Sequence, residues 1–137
     1  MATSLKKPSA VILTAEGFQD EEYLYPYYRM IEAEFSVFTA TADGREVKGK
    51  YGMLTRGSHV PFTSLDPHHF DLAVIPGGYE ATDRIRARPE VKLFIFNMHM
   101  KQKLLAAICH GPWVLISAGI VKDKKIAQFD MKKKTIR

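Results

Sequence analysis

Sulfur chemistry is scarce in this chain, with one cysteine, Cys109, in 137 residues. A lone cysteine closes no internal disulfide, so its uses reduce to packing, reactivity or pairing with another molecule, and a reducing compartment fits. Long apolar runs are missing too. The longest, such as Leu104 to Cys109, falls far short of the roughly 20 residues that cross a bilayer. Met1 to Pro8 carries two lysines with no apolar stretch of a signal peptide behind them, so a cytoplasmic location and no membrane partner are expected. Repeats and low-complexity segments are absent.

Most of the chain also lacks a surplus of either charge. The net charge is +5. Lys122 to Arg137 holds seven basic residues against Asp123 and Asp130, which accounts for all of it and leaves the first 121 residues neutral. Nucleic-acid binding by the body of the protein is therefore not expected, and the basic end reads as a solvated tail. The length allows one domain, placed at residues 9–125 between an N-terminal tail, 1–8, and a basic C-terminal tail, 126–137.

What is present alternates between short apolar runs and helical periodicity. Ser9 to Ala15, Phe35 to Thr41, Asp71 to Ile75 and Leu104 to Ile108 read as strands, several of them apolar on both faces. Asp20 can cap a helix with Glu21 and Glu22 in its first turn and Tyr23, Tyr27, Met30 and Ile31 at helical spacing. Pro26 must kink that helix or sit in its first turn. Val47 to Val60 has hairpin character, Pro89 opens a helix running to about Lys103, and Pro112 opens another closed by Gly119. Such alternation gives an α/β protein: a flavodoxin-like three-layer sandwich on a mainly parallel sheet. Ligands bind beyond the carboxyl ends of the strands in such sheets, and three polar clusters fall there: Glu16 to Glu22, Gly77 to Arg86 and Cys109 to Pro112.

Cys109 follows an apolar strand and precedes a helix, the setting of a nucleophile elbow, and a helix N-terminus would depress its pKa toward the thiolate. The other use is a buried small hydrophobe. His110, next in the chain, is suited to proton transfer or to a structural role. The amides of Gly78 and His110 are candidate oxyanion donors, with a tight turn as the other use of Gly77 and Gly78. Glu22 falls at the same sheet edge and either bonds the sulfur or serves its helix electrostatically. His68 and His69 are adjacent while His59 and His99 lack partners at ligand spacing, so no metal is expected. Tyr23, Tyr25, Tyr27 and Tyr28 exceed one helix face, which suggests core plus an oligomer contact.

The segments AVILTAEGFQDEEYLYPYYRM, GKYG, FDLAVIPGGYEATDRIR and AAICHGPWVLISAGIVK, in this order, resemble the ThiJ/PfpI superfamily, relatives of class I glutamine amidotransferases. The likeness is greatest to its PfpI-type intracellular peptidase and deglycase branch. The resemblance implies Cys109 as nucleophile, Glu22 touching the thiol, backbone donors at Gly78 and His110, and His110 oriented by Asp83 of a neighbouring subunit. It thus implies a homo-oligomer, no cofactor, and a small carbonyl adduct or a peptide as substrate. Peptidase, deglycase and glyoxalase activities remain open, beside a redox-sensing or chaperone-like stress role. Glu34 stands where the family usually has a helix-ending glycine. The family pattern also continues beyond IVKDKK for further strands and a helix, so the sheet is expected to be shortened at the C-terminus and the chain to be, on one reading, an inactive truncated member.

Overall fold

The apolar run Ser9–Leu13 forms β1, the central strand of a parallel sheet. Around it lie β2 (Ser36–Thr41), β3 (Ser58–Pro61), β4 (Leu72–Ile75) and β5 (Leu104–Ala107), in the order β3-β2-β1-β4-β5. Every pairing is parallel, with Ala10 opposite Val37 on one side and Leu72 on the other. The computed structural model describes residues 5–126, so residues 1–4 and all of the expected basic tail except Ile126 lie outside the described residues.

Parallel strands need crossovers, and these carry α1 (Asp20–Glu32), α2 (Tyr79–Arg86) and α3 (Pro89–Met100), with α4 (Pro112–Ser117) following β5. Side-chain alternation along β1 feeds two cores. Val11 and Leu13 pack with Ile75, Phe94, Ile95, Met98 and Val114 on one face, while Ala10 and Ile12 pack with Phe18, Tyr23, Tyr27 and Met30 on the other. The three-layer sandwich expected from the sequence is the observed architecture. β5 is an edge among the described residues, and its Leu104 is 66% exposed. No helix of the described residues is long and apolar enough to cross a membrane.

Several local readings change. Gln19, not Asp20, is the N-cap of α1, and Asp20 is buried, accepting from the amides of Tyr51 (3.0 Å) and Met53 (2.9 Å). Two backbone donors held by one carboxylate outweigh a helix cap, and the Asp20 side chain therefore pins the loop before β3. That loop has the expected hairpin character, with an antiparallel Lys48–Leu54 bridge, but it delivers a parallel edge strand, β3, which four residues with little apolar content did not announce. Ile31, expected on the apolar face of α1, is exposed. Pro26 sits inside α1, where it deprives the Glu22 carbonyl of a donor.

Glu34 ends α1 with φ +65, its N–H bonding Ile31 O and that of Phe35 bonding Met30 O. This is a Schellman closure at a left-handed position that favours glycine. Glu34→Gly is expected to stabilise the fold by about 1 kcal/mol, a rise of roughly 3 °C in Tm on thermal unfolding. An unchanged Tm would show that the turn is not strained.

Candidate active site

The sheet's bonding runs one residue beyond β5, with Ile108 N–H donating to Ile75 O at 3.0 Å, and the chain then turns sharply as Gly111 N–H bonds Ile108 O at 2.8 Å. Cys109 occupies the turn with φ +57, a left-handed conformation that costs a side-chain-bearing residue energy. Gly111 permits it: a Cβ there would run into the Ile75 carbonyl and approach Ile108 N to 2.9 Å. Strand, strained turn and helix make the elbow that the apolar run ending at Cys109 suggested.

His110 follows at the turn and its ring folds back, placing Nδ1 3.3 Å from the Cys109 sulfur. Glu22, on the first turn of α1, meets the pair from across the β1–β4 seam, its Oε2 accepting the Gly77 N–H at 2.7 Å. Gly77 is the point of convergence. A Cβ on it would collide with Glu22 Oε2 and lie 2.9 Å from Cys109 Cβ. Gly78, with φ +101, is the N-cap of α2 and presses against residues 17–19. Asp83 does not join this group, since it is exposed on α2. The structure thus gathers Cys109, His110 and Glu22 around Gly77, and sets Gly78 beside them in the chain.

The expected direction of the thiol pKa is reversed. Burial pushes Cys109 up, the Glu22 charge pushes it further, and the hydrogen bond to Glu22 adds to both, while the His110 backbone amide opposes them. A helix of only six residues contributes little dipole against these effects. Since the raised pKa belongs to an acid that becomes anionic, the thiolate gains population only as pH climbs past the ordinary midpoint of about 8.5. Alkylation of Cys109 should still be accelerating there, and Glu22→Gln should move its pH profile downward by removing a charge that raises the thiol. An identical profile in the variant would deny Glu22 that influence.

Sequence reading passed over three neighbours. The Tyr79 and Trp113 rings stand 6.0 Å and 4.9 Å from that of His110, and the Arg86 guanidinium lies 5.3 Å from the Trp113 ring. Trp113 was findable, because a residue three beyond His110 on a following helix shares its face. Tyr79 and Arg86 lay within the polar cluster Gly77 to Arg86 but were not singled out, as α2 was not foreseen. Tyr79 also borders a cleft of about 420 Å³ lined by Glu16, Lys48, Lys50 and Glu80. Among the described residues no three His, Cys, Asp or Glu side chains gather as a metal site.

These features define a flavodoxin-like α/β protein with a cysteine at a strand–helix elbow. The chain belongs to the DJ-1/PfpI family, whose model matches residues 8–137. It is 36% identical over 115 residues to a deglycase of Pyrococcus horikoshii, covering 84% of this chain and 68% of that protein. To the protein/nucleic acid deglycase 2 of Escherichia coli it is 32% identical over 123 residues, covering 89% and 70%. Among solved structures it resembles a two-domain protein of Anabaena variabilis with DJ-1/ThiJ/PfpI-like and ferritin-like domains, at 31% identity and a TM-score of 0.88. That match covers 95% of this chain and 37% of that one.

Proposed function

We propose that the chain is a cysteine-dependent hydrolase of the deglycase kind, acting on adducts of small 2-oxoaldehydes with amines or thiols. The observation that carries it is the 3.3 Å approach of His110 Nδ1 to the Cys109 sulfur at a strained elbow, with the Glu22 carboxyl on the other side. A thiol with a raised pKa needs a base at the moment of attack, and His110 is placed to take its proton. The sulfur then bonds the carbinol carbon as the C–N bond breaks and the amine leaves with a proton, a proton moves from that carbon through an enediol to the neighbouring carbonyl carbon to give a thioester, and water cleaves the C–S bond to release the acid. Backbone donors at His110 and Gly78 would hold the oxygen that turns negative. Overall, adduct and water give a 2-hydroxy acid and the free amine, one carbon being oxidised as its neighbour is reduced, so the atoms balance without a cofactor.

The deglycase names of the two relatives favour this reading over peptide hydrolysis. Its raised pKa disfavours Cys109 as a peroxide sensor, since thiolate rather than thiol is the form oxidised. A role for Asp83 in orienting His110 across a homo-oligomer belongs to the same proposal. The deciding test is to incubate the protein with the adduct of methylglyoxal and an N-acetylated lysine or cysteine and to follow lactate by NMR. Lactate released together with the free amino acid supports the reading, and adduct decaying at the buffer rate ends it.

A further inference from the structure

The turn that seats Cys109 brings His110 close but does not choose which ring nitrogen faces the sulfur. Two aromatic side chains pack against one side of that ring. Tyr79 meets it at 80° and Trp113 at 87°, and the two meet each other at 5.5 Å and 75°, so three rings close a nearly perpendicular triangle in which His110 is 9% exposed. Trp113 is tied from both directions. Its backbone N–H bonds His110 O at 3.0 Å, one helical turn back, and its ring carries the Arg86 guanidinium. Tyr79 and Arg86 are seven residues apart on α2 and so share one face, with buried Thr82 between them. That face grips the indole at two points.

We infer that Tyr79, Trp113 and Arg86 form a clamp that holds the His110 imidazole with Nδ1 toward the Cys109 sulfur, making them positioning residues for the proton transfer. The inference rests on the proposed role of His110. An imidazole that is 9% exposed and backed by Trp113 and the half-exposed Tyr79 meets a ring when it swings toward them, which narrows the search over rotamers before proton transfer to Nδ1. The Arg86 contact adds a cation over the indole face and fixes Trp113 against α2.

The test reads alkylation of Cys109 by iodoacetamide at pH 7, where sulfur reacts after passing its proton to His110, and the ¹⁵N signals of the His110 ring. Tyr79→Leu and Trp113→Leu should each slow alkylation about tenfold, toward the rate of His110→Ala, and shift the Nδ1 signal. Tyr79→Phe and Trp113→Phe, which keep a ring in place, should restore at least half the wild-type rate. Leucine variants that unfold at the wild-type temperature yet alkylate at the wild-type rate overturn the clamp. Where a leucine variant fails to fold, Arg86→Gln decides: a slowing of about twofold or more with a moved Nδ1 signal supports it, and an unaltered rate and signal defeat it. A protein without adduct turnover whose alkylation follows the expected pattern would defeat the proposed activity and leave the clamp standing.

Discussion

Cys109→Ser is expected to lower adduct turnover by roughly three orders of magnitude or more while the protein still unfolds cooperatively near the wild-type temperature. The site explains both halves. Serine has the shape for the turn at φ +57, and a hydroxyl can keep the contacts with His110 and Glu22. What it lacks is acidity, for an alcohol yields its proton to imidazole far less readily than a thiol does, and the attacking anion is then too scarce. The thiol already starts from a raised pKa, so little reserve remains to be lost. Equal turnover in the folded variant would remove Cys109 from the chemistry and the proposed mechanism with it.

Gly78→Ala is expected to lower stability by more than about 3 kcal/mol, a fall of roughly 10 °C in Tm. Two penalties coincide. At φ +101 the backbone lies where side chains are strained, and a Cβ would stand 2.6 Å from Gly17 O, 2.7 Å from Gln19 N and 2.7 Å from Phe18 Cα. All three are backbone atoms at the β1–α1 connection, which a flexible side chain's retreat cannot relieve. Gly52→Ala supplies the control, because φ there is +99 with no atom within 4 Å of the new Cβ. It should show the strain alone, on the order of 1 kcal/mol. If both variants lost the same stability, close approach at Gly78 would count for nothing.

Much of the fold was legible because most strands are short apolar runs ended by a polar or glycine-containing turn. β1, β4 and β5 show it, and Pro89 and Pro112 each mark a helix start. β3 was hidden because it is an edge strand that needs no apolar run, and α2 because YEATDRIR buries only Ala81, Thr82 and Ile85. Of the site, Cys109 and His110 were readable from the strand-to-helix junction. Glu22 was placed at the right sheet edge by its position in the first turn of α1, but its bond to Gly77, 55 residues away in sequence, left no signal. The direction of the thiol pKa was missed because burial raises it first and the charge of Glu22 on a distant helix raises it further, while a local rule sees only the nearby helix end.

The first turn of α1 reaches three places at once. Asp20 holds the amides of Tyr51 and Met53, Glu22 holds that of Gly77, and the Tyr23 hydroxyl accepts from Arg56 N–H at 2.7 Å while lying 2.8 Å from Thr39 Oγ1. Three residues of one rigid turn, Asp20, Glu22 and Tyr23, therefore share a single displacement: a tilt that suits one partner alters the other two. Substitutions at these positions will not sum, and a double-mutant cycle between Asp20 and Glu22 carries a coupling energy although their partners never touch. Substitutions in the loop before β3 and substitutions around Cys109 are consequently felt by one another through a shared turn, although no contact joins them.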